Sequence, residues 1–544
     1  MNGNRAIAQI LKAEGIEWVA AFPEQPLIDQ MVGEGIRPII CRHERTGVNM
    51  ADGYSRIKNQ ESFGVFTMQS GPGAENALGG VAQAFADSIP VLLLPGGHSR
   101  PRTQLHPHFE AVENYRLITK WAASVNLASR IPELMRRAFT MMKNGRPGPV
   151  LLEILRDVGL EEFLGNVEYE PVVRLRSAAS QEDVRDLIVA MENAKRPMII
   201  AGHGVLWAQA SEQLIRFAEL TSLPVMTTLA GKSAFPEDHP LSLGTYGHTG
   251  TDMAVQFLEK TDFILGVGTS FTPAPLNAAI PDGPVLAQIT NCVDDINKYY
   301  GISYGAVGDA QIVLSQAVEE VLRQFGPSGR IDNSVEAEIA KVRTMFLAKW
   351  QPLLISDEVP ISPYRVFTEI AKIVDTANTI ITHDSGFPRD QLAPFWMSTT
   401  PRSYIGWGKS TQLGYGLGLA LGAKLAAPNK QVVNVMGDAA FGMAGLDIET
   451  GVRAEIPILT IVLNNGVMTH YHEHMPLATA RWDSNRLGGE YAKVGEALGA
   501  YGERVDKPDQ LSAALVRGIA ANSEGKPAVI EVMTKEEESV PNAN

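Results

Sequence analysis

Asp438 and Asn465 have the residue types and the spacing for cation and phosphate chemistry. Each follows an apolar run, residues 432–436 and 458–463, of the kind a buried parallel strand gives. With a helix-length segment between the runs, residues 431–465 read as a βαβ unit. Its two strands lie side by side and end at the same edge. One carboxylate and one amide oxygen there, with backbone carbonyls beside them, suit a hard divalent cation that keeps phosphate ligands. The turn Gly437-Asp438-Ala439-Ala440, opening a helix next to that cation, is a place for a diphosphate. A surface Asp would explain Gly-Asp alone; the Asn closing the next strand favours a site.

The elements that must position these residues repeat along the chain. Its 544 residues, 45% hydrophobic and 20% charged, are those of an ordinary globular protein with about three domains. Short apolar strands alternate with helices through Gly/Pro turns, which predicts an α/β fold: three successive domains with parallel sheets flanked by helices, the middle one Rossmann-like. The expected domains are 1–165, 181–330 and 358–544, with polar linkers between them. No repeat is visible in the sequence itself beyond those three α/β patterns. Glycines 414, 416, 418 and 422 are expected to let a helix pack closely on the third sheet. Gly202-His203-Gly204 is a lone Gly-x-Gly, read as a turn rather than a dinucleotide fingerprint.

A net charge of −14 with no basic run argues against nucleic acid. Cys41 and Cys292 stand in no metal-ligand spacing, and two thiols fit a reducing compartment. No stretch is long enough to span a membrane, and the first eighteen residues lack the apolar centre of a signal peptide, so a cytoplasmic location is expected.

With Arg42-His43-Glu44, Ser70-Gly71-Pro72-Gly73 and Gly437-Asp438-Ala439…Asn464-Asn465 in place, the chain resembles the thiamine-diphosphate enzymes of the acetolactate synthase, pyruvate decarboxylase and 2-hydroxyacyl-CoA lyase superfamily over nearly its whole length. The resemblance implies a pyrimidine-binding domain first and a diphosphate-binding domain third. It implies that Asp438, Asn465 and the Val467 carbonyl hold Mg²⁺. Thiamine diphosphate would contact Pro23, Ser70, Gly71, Asn76, Ser385, Gly386, Leu413, Gly437, Asp438, Ala439, Ala440, Asn465 and Met468. Leu413 falls where relatives carry the bulky residue that bends the cofactor. Glu44 matches the activating glutamate: a carboxylic acid on the aminopyrimidine nitrogen drives the tautomer change that cofactor deprotonation needs. Otherwise Glu44 would merely begin the following helix, where a carboxylate is also favourable.

Substrate recognition departs most from the family. Its Pro-Gly-Gly turn is Pro23-Glu24-Gln25 here, making Gln25 a candidate substrate contact. The Phe-Gln-Glu element of acetolactate synthases is replaced by Phe109-Glu110, behind His106 and His108. His108, Glu110, His470 and His474 are the other substrate candidates. His470, His472 and His474 invite a metal reading, but only His470 and His474 share a helical face and no third ligand is evident, so polar lining is favoured. The Asp-Asp-Arg-Val segment that holds flavin in acetolactate synthases is not seen, which argues against FAD.

The implied activity is a lyase or carboligase making or breaking a C–C bond next to a carbonyl. Its substrate would be a 2-oxo acid or an acyl-CoA. The Gly-Asp-Ala form of the motif resembles the 2-hydroxyacyl-CoA lyase and oxalyl-CoA decarboxylase branch, for which ADP or CoA on the central domain would be expected. A 2-oxo acid decarboxylase is a further alternative, and a non-catalytic cofactor-binding scaffold is the contrasting class. The resemblance also implies a homodimer or homotetramer with sites shared between chains.

Overall fold

The computed structural model describes residues 1–23, 26–273, 279–406 and 408–541. It contains three six-stranded sheets, and every strand pair in them is parallel. Parallel strands need crossover helices on both faces, which is why most strands are buried and read as continuous apolar runs. Val91–Gly97, Val150–Leu155 and Leu459–Asn464 show this pattern.

In the first sheet the spatial order is Arg37–Ile40, Trp18–Ala21, Gly64–Met68, Val91–Gly97, Val150–Leu155, Trp121–Val125. In the third it is Tyr404–Ile405, Thr379–His383, Gln431–Gly437, Leu459–Asn464, Ala528–Met533, Tyr501–Val505. Counted within each domain, both run second, first, third, fourth, sixth, fifth. The two outer domains therefore share a topology that their sequences do not display. The central sheet, from Ser242–Thr245 through Val225–Thr227, Pro197–Ala201, Phe263–Val267 and Val285–Thr290 to Tyr304–Val307, runs third, second, first, fourth, fifth, sixth. That is the Rossmann order, as expected.

Several details correct the sequence reading. Residues 437–440 form no separate turn: the strand Gln431–Gly437 runs straight into the helix Asp438–Ala444. His203 begins the helix His203–Trp207 rather than sitting in a turn. Gly416 does bring its helix, Gly416–Ala426, close to the sheet, where a β-carbon would stand 2.9 Å from the His383 carbonyl oxygen, but Gly418 and Gly422 face the helix Glu44–Lys58 of the first domain. A β-carbon on Gly422 would stand 1.9 Å from the Met50 carbonyl oxygen, and one on Gly53 would stand 2.2 Å from that of Leu419. Only hydrogen fits at this crossing. Beside it lies a buried ion cluster in which Arg56 meets Asp52 and Asp87 and donates to the Gly406 carbonyl at 2.6 Å. The Gly408 N–H donates to Asp87. The first and third domains are thus locked backbone to backbone.

Among the described residues no helix is long and apolar enough to cross a membrane. The helix crossing makes a direct prediction. Gly422→Ala drives a methyl into a backbone carbonyl and should cost about 1–3 kcal/mol of stability. Denaturant unfolding measures this, and an unchanged midpoint would mean that the crossing is looser than described.

Candidate active site

In both outer sheets the strand order reverses between the first and third strands, and in α/β sheets such switch points open a crevice at the carboxyl edge. In the third domain the strands at this edge are Thr379–His383, Gln431–Gly437 and Leu459–Asn464, with Gly437 directly opposite Leu463. The residues that follow them are Asp384, Asp438 and Asn465. Asp438 and Asn465 line a cleft of about 310 Å³, with Asp384 buried behind it, the size of a small cofactor site. Every third-domain residue assigned to the cofactor or metal on sequence lines it: Ser385, Gly386, Leu413, Gly437, Asp438, Ala439, Ala440, Asn465, Val467 and Met468.

Asp438 is buried, and its two carboxylate oxygens accept from the N–H of Ala439 at 2.8 Å and of Gly466 at 3.0 Å. The second bond ties the helix start to the loop after the neighbouring strand. Burial pushes the Asp438 carboxyl above the usual carboxylate range, and these backbone N–H groups oppose the shift only in part. Asn465 donates to Thr469 Oγ1 at 2.7 Å, and its side-chain oxygen accepts from the Val467 N–H at 3.1 Å. A carboxylate, an amide oxygen and backbone carbonyls in one cleft are the hard-oxygen set that Mg²⁺ takes.

Asp384, two residues before Gly386, went unassigned on sequence. Fully buried, it accepts from Ser385 N–H at 2.7 Å, Gly414 N–H at 2.9 Å and Gly416 N–H at 2.8 Å. One carboxylate thus ties the Ser385 turn to the Leu413 loop, a contact that Ser385 Oγ reinforces by donating to the Thr411 carbonyl at 3.1 Å. An Asp directly after an apolar strand was the available signal. Lys535 and Glu537, from the tail after the strand Ala528–Met533, also line the cleft. No local pattern in the sequence marks them.

The other half lies on the first domain. Pro23 and Ser70 follow its first and third strands and line a separate cleft of about 670 Å³, with His98, Arg102 and Arg156 on its walls. Glu44, only 4% exposed, is the first residue of the helix Glu44–Lys58. Asn76 Nδ2 donates to its Oε2 at 3.1 Å, so two residues assigned separately on sequence meet. Tyr115 is buried nearby, and burial close to Glu44 pushes its hydroxyl up. Gly71 caps the helix Pro72–Ala86 that carries Asn76. Glu44 is not among the residues lining either cleft, and neither cleft contains residues of the other outer domain.

The substrate candidates are less gathered. Gln25 lies outside the described residues. His108 is exposed and stacks on His98 with ring centres 4.4 Å apart; Glu110 accepts from the Gln104 N–H at 2.8 Å. His470 and His474 are not in the lining of the third-domain cleft, whereas Tyr471 is. His470 lies ahead of the short helix Tyr471–His474, in a left-handed conformation. In the central domain, Gly202-His203-Gly204 edges a cavity of about 90 Å³.

The two outer domains thus present switch-point crevices of identical topology, one lined by a carboxylate and an amide oxygen, and the first domain also holds a buried glutamate outside its own crevice. Comparison with known proteins specifies the cofactor. Residues 1–116, 184–317 and 384–532 match the N-terminal TPP binding domain, the central domain and the C-terminal TPP binding domain of the thiamine pyrophosphate enzymes. The chain is 30% identical to glyoxylate carboligase of Escherichia coli O157:H7, over 97% of its own length and 92% of the relative's. It is 29% identical to a probable acetolactate synthase large subunit of Methanococcus aeolicus, over 95% and 90% of the two chains. Against the acetolactate synthase large subunit of Haemophilus influenzae it is 28% identical, over 99% and 96%. The chain belongs to the thiamine pyrophosphate enzyme family, and these full-length relatives place it with the carboligases.

The part played by Asp384 is testable. Asp384→Ala orphans three buried backbone donors and should cost about 1–3 kcal/mol. Thiamine diphosphate affinity, measured by calorimetry, should fall with it. A variant that unfolds earlier yet binds cofactor normally would show that Asp384 serves the fold and not the cleft.

Proposed function

We propose that this protein is a Mg²⁺-dependent carboligase that joins 2-oxo acids such as pyruvate or glyoxylate. The observation that carries the reading is the meeting of Asp438 and the 465–467 loop in one cleft, with a buried Glu44 held by the exposed Asn76 on the matching domain. Asp438, Asn465 and the Val467 carbonyl would hold the cation. Thiamine diphosphate supplies, when bound, an electron sink next to the reacting carbonyl carbon. The protein's share is positional. Glu44 holds a proton at the aminopyrimidine ring nitrogen, and Asn76 fixes the orientation of its carboxyl. Leu413 presents a branched apolar surface to the middle of the cofactor. Asp384 holds the Ser385 turn and the Leu413 loop together.

Two observations support a site completed by a second copy of the chain. Glu44 and the diphosphate cleft sit in separate places within one chain. Leu78 and Phe85, on the helix that carries Asn76, and Met443 and Leu446, just after Asp438, leave 36–63% of their surface exposed. Apolar side chains grouped on the two helices of a divided site are what a self-complementary interface would cover.

The named relatives favour carboligation of 2-oxo acids. Ala439 lines the cofactor cleft and is the one feature that favours an acyl-CoA substrate. The small central cavity does not: its described walls enclose less than the roughly 300 Å³ expected of a ligand pocket. This reading needs no flavin step. The test is a product screen with Mg²⁺ and thiamine diphosphate, comparing pyruvate and glyoxylate with 2-hydroxyacyl-CoA and oxalyl-CoA. A new C–C bond from the 2-oxo acids is expected, and turnover of the thioesters alone would overturn it. Glu44→Gln should lower turnover by roughly 10²–10⁴-fold while calorimetry still shows thiamine diphosphate binding. Full activity in that variant would remove Glu44 from the mechanism and favour a different proton carrier.

A further inference from the structure

His470, His472 and Glu473 meet the C-terminal tail at the mouth of the third-domain cleft. His470 Nε2 lies 3.2 Å from Glu473 Oε2, and its Nδ1 lies 3.7 Å from Glu538 Oε1. His472 Nδ1 lies 3.7 Å from the same Glu538 oxygen, and Glu536 accepts the His470 backbone N–H at 3.4 Å. Two sets, His470 with Glu473 and Glu538, and His472 with Glu536 and Glu538, each bring their ligand atoms within 4.8 Å of one another. Glu538 is common to both.

Exposed carboxylates often cluster without binding anything, but three features distinguish this group. It contains two imidazoles, which a merely acidic surface lacks. His470 Nδ1 is shielded from solvent and faces Glu538 Oε1 at 3.7 Å without a hydrogen bond, while the imidazole as a whole is 41% exposed and open to an arriving ion. His470 also adopts φ +71°, a backbone conformation that non-glycine residues hold only where surrounding structure imposes it.

We propose that His470, His472 and Glu538, with Glu473 or Glu536, form a second metal site, one for a borderline transition ion such as Zn²⁺. The donors decide the class. Imidazole nitrogen with carboxylate suits Zn²⁺, Co²⁺ or Ni²⁺, whereas the oxygen-only set around Asp438 suits Mg²⁺. The two sites therefore take different metals. The bound ion would cross-link two segments remote in sequence. Along the tail, Lys535 and Glu537 line the cofactor cleft while Glu536 and Glu538 turn outward to the histidines. Along the loop, Thr469 and Tyr471 line the cleft while His470 and His472 meet the tail. An ion joining the outward residues pins both inward rows against the cleft mouth. The site rests on its own side chains and holds whatever the substrate of the enzyme.

Equilibrium dialysis with Zn²⁺ alone tests it, using the full chain saturated with Mg²⁺ and thiamine diphosphate. One Zn²⁺ per chain is expected. His472→Ala and Glu538→Gln should each weaken binding by at least about tenfold, while Asp438→Asn leaves it unchanged. Zn²⁺ should also slow tryptic cleavage after Lys535 in the unaltered protein but not in Glu538→Gln. Absence of stoichiometric Zn²⁺ overturns the proposal. So does binding that survives Glu538→Gln and vanishes in Asp438→Asn, which would put the ion in the cofactor cleft.

Discussion

Parallel strand pairing allows two neighbouring strands to end at one edge, and the candidate site depends on that constraint. Gly437 lies opposite Leu463, so Asp438 and Asn465 leave adjacent strands together, and the Gly466 N–H can reach the Asp438 carboxylate. An antiparallel pair would send one of them to the far side of the sheet. The same arrangement recurs in the first domain, where Pro23 and Ser70 follow its first and third strands. Identical strand order in the two outer domains produces two equivalent crevices, and different chemistry around them divides the labour. One rim offers oxygens for a cation and walls for a diphosphate. In the first domain the buried carboxyl, Glu44, lies outside the crevice lining.

The contact between these domains within one chain serves a different purpose. Gly53, Gly418 and Gly422 bring two helix backbones together, and Arg56, Asp52 and Asp87 seal the margin of the crossing. This fixes the angle at which the two crevices are presented without merging them. A second chain is the economical way to bring Glu44 against an Asp438 rim, and the exposed Leu78, Phe85, Met443 and Leu446 mark where it would dock.

The sequence made legible whatever is locally encoded. A strand followed by Gly-Asp, another followed by Asn-Asn, and a glutamate opening a helix are short-range patterns, and the third-domain residues they pointed to line one cleft. Three strands of the central sheet are three or four residues long, too short for a periodic signal, as in Val225–Thr227. Trp121–Val125, mostly half-buried, lacks a continuous apolar face and so carries a weak strand signal. Gly418 and Gly422 announced close packing but not the partner, since a small residue does not say which backbone approaches it. Glu536 and Glu538 were invisible as partners of His470 because nothing local links positions more than sixty residues apart.

The central claim is that each site takes Glu44 from one chain and Asp438 from another. Co-expression of Glu44→Gln with Asp438→Asn tests it most directly, since each variant alone should be inactive. Mixed dimers pair both defects in one site and leave the other intact, so random assembly should restore about a quarter of the unaltered activity. Recovery at that level, rising with subunit exchange, is the predicted result. Persistent inactivity in mixed dimers shown to have formed and to bind cofactor would mean that both residues act within a single chain, contradicting the account.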